Sequence, residues 1–135
     1  MDDCIFCKII KGEIPCSKIY ENETNIAFLD INPVNKGHVL VIPKKHFETY
    51  IDLPDEEVKS LSIAVKNVAK AVKLGIEADG FNIQMNNHES AGQVVPHVHF
   101  HIVPRFKDDG LKLWDGGEYN ESEMEETKKK IIQRL

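Results

Sequence analysis

The sequence predicts an α+β domain in which an antiparallel sheet of about five strands is packed by one long helix, with short helices near both ends. Three observations predict this fold class. A central segment carries apolar residues at helical spacing, strand-like segments lie before and after it, and turn-forming residues separate these segments. With 135 residues and no repeat, low-complexity tract or linker, the chain is expected to form one domain over residues 1–135.

The first third of the chain predicts one short helix and three strands. The helix covers residues 4–11 and ends near Gly12. Residues 19–21 and 26–30 predict a hairpin, because two strand-like runs flank the short polar segment NET. Residues 38–42 predict a third strand, which follows the turn-forming segment NPVNKG.

The long helix is the clearest element of the sequence. Its apolar residues recur at steps of three and four, which places them in one stripe on an α-helix. Pro54 and Asp55 suit its start, and Gly75 suits its end. The stripe consists of Val58, Leu61, Val65, Val68 and Val72.

Two strands and a last helix complete the prediction. Residues 81–85 alternate between apolar and polar side chains, which is typical of a half-buried strand. The run VVPHVHFHIVPR predicts a strand over residues 95–103 that Pro104 stops. Ser122 and Glu125 have the spacing of a capping box and are expected to open the last helix.

The composition limits the classes of partner. A net charge of −5 argues against a nucleic-acid polymer, because nonspecific binding to phosphate backbones needs a basic surface. The apolar runs are too short to span a membrane. The start, MDDCIFCKII, is acidic where a signal peptide is basic, so a cytoplasmic location is expected.

Three of the six histidines lie in five residues, at strict two-residue spacing. In a strand, residues two apart share a face, so His97, His99 and His101 are expected to point to one side. The apolar residues between them then point into the core. A helix would scatter the three rings, and the regular spacing would have no purpose.

Three interpretations of this face remain open on spacing alone. The face could simply meet solvent, the three imidazoles could hold a catalytic zinc ion, or one imidazole could attack phosphorus while its neighbours hold phosphate oxygens. The surrounding residues favour phosphorus chemistry. The loop SAGQ offers backbone N–H groups to an anion, Asn86 ends the preceding strand, and Asp30 ends another strand where it could accept from ribose hydroxyls.

Several motifs together resemble a known family. HVHFHIV is similar to the histidine-triad signature of the HIT superfamily of nucleotidyl hydrolases and transferases. CIFCKIIKGEIP, FLDINPVNKGHVLVIPKKH and NNHESAGQVVPHVHFH extend the likeness over nearly the whole chain. The nearest branch looks like the Hint-type purine nucleoside phosphoramidases and the bacterial and archaeal HIT proteins beside them.

The resemblance implies a covalent, two-step hydrolysis of a nucleoside phosphoramidate or a related substrate, such as a dinucleoside polyphosphate. His99 would attack the α-phosphorus and form a nucleotidyl-imidazole, which water then hydrolyses. His101 would contact the phosphate, and His38 would complete the histidine cluster. Gln93 would contact the scissile bridge or the phosphate.

The resemblance also implies how a purine nucleotide would be bound. Asp30 would accept from the ribose hydroxyls, and Asn86 and the Gly92 backbone would hold the phosphate. Val94 departs from the pattern, because Hint-type enzymes carry a serine there, so one hydrogen bond near the leaving group is lost. The base would be walled by Ile5, Phe6, Ile9, Phe28 and Ile31.

A cysteine pair suggests a second, structural site. By itself the Cys4-x-x-Cys7 spacing is a weak zinc signal, and two reduced core thiols are the plain alternative. The resemblance adds His46 and His97, which would complete a closed Cys2His2 set for structural zinc. Such an ion would pin the N-terminal helix to the sheet.

The sequence leaves oligomeric state and activity to be tested. The resemblance implies a homodimer, in which Trp114 would either pack on its own tail or reach the partner's active site. Alternatives to the proposed hydrolase are the catalytic three-histidine zinc enzyme and a non-enzymatic nucleotide-binding scaffold.

Overall fold

Eight regular elements follow one another in residues 3–135, the part of the chain that this computed structural model describes. Single 3-10 turns at Tyr50–Asp52 and Glu89–Ala91 were not predicted from the sequence. The elements are α1 (Ile5–Ile10), β1 (Lys18–Glu21), β2 (Asn25–Leu29), β3 (Val39–Pro43), α2 (Asp55–Gly75), β4 (Gly80–Gln84), β5 (Phe100–Arg105) and α3 (Glu123–Ile132).

The five strands form one antiparallel sheet in the order β1-β2-β3-β5-β4. The predicted α+β class, with five strands and one long helix, is therefore confirmed. β2 and β3 are buried along nearly their whole length, because both faces of the sheet are covered there. β1 and β4 are the edge strands.

The two faces of the sheet carry separate apolar clusters. On one face, the stripe of α2 packs against inward-facing residues of β2, β3 and β5, such as Ala27, Val41 and Ile102. On the other face, Phe6 and Cys7 of α1, with Cys4 just before the helix, pack against Ile26 and Leu40. α1 therefore lies on the face opposite α2.

The histidine strand differs from its predicted bounds. It begins at Phe100 because the preceding backbone makes no strand ladder: the His97 N–H donates to Val95 O and the Val98 N–H donates to Phe47 O, both at 2.8 Å. It also runs through Pro104 to Arg105. Pairing with β3 ends at Ile102, so the strand has one neighbour at Pro104, and the missing N–H is tolerated there.

The last helix forms, but the predicted capping box does not. Ser122 has φ 72° and its side chain makes no capping hydrogen bond. The Glu123 carboxylate accepts instead from the Asn120 N–H at 2.7 Å. No residue of α3 is buried. Within residues 3–135, none of the helices combines the length and apolar character needed to cross a bilayer.

Candidate functional site: a histidine-lined pocket beside a cysteine-histidine cluster

A cavity of about 400 Å³ opens on the face of the sheet that carries α1. It lies between α1, the turn after β2 and the loop before β5. His99 and His101 line it, whereas His38 lies behind His101 with 3% of its surface exposed. All nine residues expected to contact substrate also line the cavity: Ile5, Phe6, Ile9, Phe28, Asp30, Ile31, Asn86, Gly92 and Val94.

His99 presents an unprotonated nitrogen to this cavity. Its Nδ1 lies 2.7 Å from the His97 carbonyl oxygen, which can only accept, so Nδ1 carries the proton and donates. In the neutral ring, Nε2 therefore keeps its lone pair. Burial lowers the pKa of His99 below its usual value of 6.5, which keeps the ring neutral at neutral pH.

His101 is held through a chain of hydrogen bonds behind the cavity. The Val34 N–H donates to His38 Nδ1 at 3.1 Å, and His38 Nε2 lies 2.9 Å from His101 Nδ1. Burial, reinforced by the nearby His99 and His38 rings, lowers the pKa of His101 to about 4. Both His99 and His101 are thus neutral groups at physiological pH.

Asp30 supplies the carboxylate of the cavity. Its Oδ1 accepts from the Asn32 N–H at 2.8 Å, which fixes the turn after β2. Its Oδ2 lies 3.6 Å from His38 Nε2. This oxygen has a polar neighbour on the protein side and remains available to hydroxyl groups of a ligand.

The loop before β5 places Gln93 away from the expected position. The Gln93 side-chain amide donates to Glu48 O at 2.6 Å and accepts from the His88 N–H at 2.8 Å, so it ties two loops together. Gln93 therefore does not line the histidine cavity, and its contact with the scissile bridge or the phosphate stays a prediction. Asn86 does reach the loop, donating to Gly92 O at 3.3 Å.

Cys4, Cys7, His46 and His97 bring four donor atoms together. Sulfur–nitrogen distances are 3.4 Å from Cys4 to His97 and 3.3 Å from Cys7 to His46, and the two Nδ1 atoms lie 3.2 Å apart. A tetrahedral zinc with bonds of about 2.0–2.3 Å needs ligand separations of about 3.3–3.8 Å. The donor set therefore fits zinc with small adjustments.

The proton on His97 also suits a metal ligand. Its Nε2 lies 2.9 Å from the Pro43 carbonyl oxygen, so Nε2–H donates and Nδ1 faces the cysteines with a free lone pair. Burial lowers the pKa of His97 to about 4, which likewise keeps this ring neutral. Cys4, Cys7 and His97 are buried, so a bound ion would be closed off from substrate.

The three triad histidines do not converge on one point. In residues 3–135, the donor groups that could hold an ion are the cluster above and a second set, Asp30, His38 and His101. Neither contains His99. If His38 Nε2 bound a metal, the proton of the neutral ring would have to be on Nδ1. Nδ1–H would then face the Val34 N–H, and two donors would oppose each other. The arrangement therefore disfavours the catalytic three-histidine zinc alternative.

Sequence reasoning missed part of the cavity wall. Ile14, Pro15 and Cys16 line it after α1, and Leu40 and Val95 line its floor. Leu40 follows the alternation of β3, which could have identified its face. The other residues lie in irregular segments whose direction no periodic pattern encodes.

The fold and this site define a small α+β protein with neutral histidines and one carboxylate in an apolar-walled ligand pocket. Comparison with known proteins agrees with this class. The HIT domain family matches residues 11–108, and the chain belongs to the HIT family.

Relatives are similar over nearly the full chain. An uncharacterized HIT-like protein of Methanocaldococcus jannaschii is 50% identical over 95% of this chain and 98% of its own length. The adenosine 5'-monophosphoramidase of Saccharomyces cerevisiae is 42% identical over 98% of this chain and 82% of its own length.

Solved structures support the same assignment. The crystal structure of a HIT family member from Bacillus subtilis has a TM-score of 0.92 at 43% identity, covering 98% of this chain and 97% of the other. A zinc-bound histidine triad family protein from Mycobacterium smegmatis has a TM-score of 0.78 at 39% identity, covering 87% of this chain and 85% of the other.

Proposed function

We propose that this protein is a nucleotide hydrolase that cleaves nucleoside phosphoramidates, or related substrates such as dinucleoside polyphosphates, through a covalent intermediate on His99. The observation that carries the proposal is the unprotonated Nε2 of a buried, neutral His99 in a cavity that also contains Asp30. Similarity to a named adenosine 5'-monophosphoramidase supports the substrate class.

In the first step, the His99 Nε2 lone pair forms a bond to the α-phosphorus. The bond from phosphorus to the leaving nitrogen or oxygen breaks, and the leaving group departs with that electron pair; a leaving nitrogen takes up a proton from solvent. The ring then bears a positive charge, which the hydrogen bond from Nδ1–H to the His97 carbonyl stabilises. His101 lies beside it, with ring centroids 5.0 Å apart, and supplies a donor to a phosphate oxygen.

In the second step, water attacks the same phosphorus and releases a proton to solvent, and the bond to Nε2 breaks. The nucleoside monophosphate leaves, and the electron pair returns to His99. Dividing one displacement into two lets a preformed cavity position each attack, which is the main source of rate in phosphoryl transfer.

The remaining cavity residues bind the nucleoside in this proposal. Asp30 accepts from the ribose hydroxyls, and a purine packs against the apolar wall that includes Phe6 and Phe28, whose rings support each other in edge-to-face contact at 5.7 Å. Val94 stands at the rim with 89% of its surface exposed, where it offers the leaving group no hydroxyl. Leaving groups that need a hydrogen bond there are expected to react more slowly than in Hint-type enzymes.

A trapped intermediate tests the proposed function. The protein is mixed with an aminoalkyl adenosine phosphoramidate, quenched within milliseconds to seconds, and analysed by intact-mass spectrometry. We expect a covalent nucleotidyl adduct in the native protein and none in His99→Ala. AMP binding by both proteins, measured calorimetrically, controls for folding. Binding without an adduct or turnover in the native protein would support the non-enzymatic scaffold instead.

Zinc at Cys4, Cys7, His46 and His97 is proposed as a structural ion. Bound there, it would contribute a closed cross-link between residues of α1 and the segment that leads into β5. The cluster needs reduced thiols, and all three cysteines are free, which suits a reducing compartment such as the predicted cytoplasm.

A homodimer is proposed through the β4 edge of the sheet. β4 presents Phe81 and Ile83, which are 38% and 45% exposed, along an edge that pairs with no other strand within residues 3–135. The opposite edge strand, β1, is flanked by Lys18 and Glu21, and charged edges disfavour pairing. A second copy would cover the apolar edge.

A further inference from the structure

We propose that the backbone N–H of Val34 is a positioning group that sets the protons on His38 and His101, so that His101 offers the substrate an N–H. The catalytic consequence rests on the proposed function, whereas the proton positions do not. Val34 itself does not touch the catalytic nucleophile, and its side chain is half exposed.

The first step is the contact between Val34 and His38. A backbone N–H can only donate, and it lies 3.1 Å from His38 Nδ1. Nδ1 must therefore accept, which leaves the single proton of the neutral ring on Nε2. His38 is 3% exposed, so unfavourable contacts at Nδ1 cannot be relieved by bulk water.

The second step is the effect of the His38 proton on His101. His38 Nε2–H lies 2.9 Å from His101 Nδ1, so His101 Nδ1 must accept. The proton of the neutral His101 ring is then on Nε2, the nitrogen that is not engaged by His38. Reversing the two protons would place the Val34 N–H against a second N–H, which leaves a buried donor unpaired and is unfavourable.

The result is a pair of neighbouring rings of opposite polarity. His99 has its lone pair on Nε2 because its proton is on Nδ1, which donates to the His97 carbonyl. His101 has its proton on Nε2 because its Nδ1 accepts from His38 Nε2–H, and His38 in turn accepts from the Val34 N–H. One ring suits attack on phosphorus, and the other suits a negatively charged phosphate oxygen, which a second lone pair would repel.

The turn between β2 and β3 holds the Val34 N–H in place. Asp30 Oδ1 accepts from the Asn32 N–H at 2.8 Å, and the His38 N–H donates to Asn35 O at 3.1 Å. Gly37 has φ +96°, and a Cβ there would lie 2.8 Å from Ile76 Cγ1. Hydrogen bonds within the turn therefore hold it on both sides of Val34, and Gly37 packs it against Ile76.

The test measures the proton positions directly. Ring-labelled 15N-histidine protein is studied by NMR without substrate, because protonated and bare ring nitrogens have distinct shifts. We expect His38 and His101 to carry their protons on Nε2 in the native protein and in Val34→Ala, which keeps the N–H. Val34→Pro removes the N–H, and both rings are expected to show a mixture of tautomers.

Kinetics provide a second readout. In Val34→Pro we expect kcat to fall in proportion to the share of His101 that has lost its Nε2 proton, about 2-fold for an even mixture, with a smaller change in KM. Val34→Ala should keep native kinetics.

The outcomes separate the two proposals. Protons on Nδ1 of His38 or His101 in the native protein would overturn the inference without any variant, even if Val34→Pro failed to fold. Native tautomers in a folded Val34→Pro would overturn it as well. The predicted tautomers in a native protein without turnover would leave the proton relay supported and remove the proposed function.

Discussion

At the scale of single residues, backbone groups give chemically identical side chains different tasks. His97, His99 and His38 are all buried and neutral. The Pro43 carbonyl turns the His97 lone pair toward the cysteines, and the His97 carbonyl turns the lone pair of His99 toward the cavity. The Val34 N–H has the opposite effect on His38. Histidine type and spacing alone do not encode these differences.

Acid is expected to destabilise the fold through His101. Its folded-state pKa is about 4 because of burial, against 6.5 for the ordinary side chain. Above pH 6.5 both folded and unfolded chains leave the ring neutral. Between pH 6.5 and 4 only the unfolded chain takes up the proton, so the free energy of unfolding falls as the pH falls.

Urea unfolding at pH 7, 6 and 5 measures this effect. His101→Gln removes the titrating group, so its free energy of unfolding should decline less steeply with acid than that of the native protein. Parallel declines in the two proteins would show that His101 does not contribute.

Asp30→Asn is expected to weaken recognition of ribose. Hydrogen bonds to a charged group contribute about 1.5–3 kcal/mol, so kcat/KM for a ribonucleotide substrate should fall by about 10- to 100-fold. The asparagine oxygen can still accept from the Asn32 N–H, which preserves the turn. A 2',3'-dideoxy substrate is the control: an equally large loss on both substrates would assign Asp30 to something other than the hydroxyls.

At the scale of elements, the segment before β5 matters more than the strand itself. Its backbone bonds to Val95 and Phe47 instead of a ladder, yet the side chains still alternate, with Val98 in the core beneath α2. His97 reaches the cysteine cluster from this segment, while His101 lies in the strand. Tertiary contacts to α1 and to the segment after β3 replace regular pairing there.

Removing zinc is expected to loosen α1 without directly removing the nucleophile. We expect one zinc per chain by metal analysis, a lower Tm after chelation, and loss of zinc in Cys7→Ser. Cys16→Ser is the matched control. Because Cys16 lies outside the cluster, this variant should retain zinc. Activity measured below the lowered Tm should survive chelation, and its immediate disappearance from a folded protein would favour a catalytic ion.

At the scale of the whole molecule, the two edges of the sheet differ in their readiness to pair. If β4 is the dimer contact, a charge placed there should separate the copies. Ile83→Lys is expected to lower the mass in solution, measured by light scattering, from two chains to one. Ile19→Lys is the control on β1, where the isoleucine is similarly exposed at 47% and dimerisation should be unchanged. Equal masses for both variants would contradict the proposed interface.

The sequence by itself determined the α+β class, the five strands, the long helix and the family, because helical and strand periodicities and the combined motifs are local properties of the chain. The family resemblance also indicated nine substrate-binding residues that the structure brings around one cavity. The sequence did not indicate Ile14, Pro15 and Cys16 in that wall, the true bounds of β5, or the absence of a cap at Ser122.

Tertiary structure alone decided how each polar group is used. Gln93 follows the expected motif, yet its amide bonds to Glu48 and His88, because the path of the loop brings those backbone groups within reach. The proton positions on His38, His97 and His99 depend in the same way on a backbone carbonyl or N–H, which for His97 comes from a distant part of the chain. The sequence determines which side chains are present. The hydrogen-bond partner that decides which ring nitrogen carries the proton is determined only when the chain has folded.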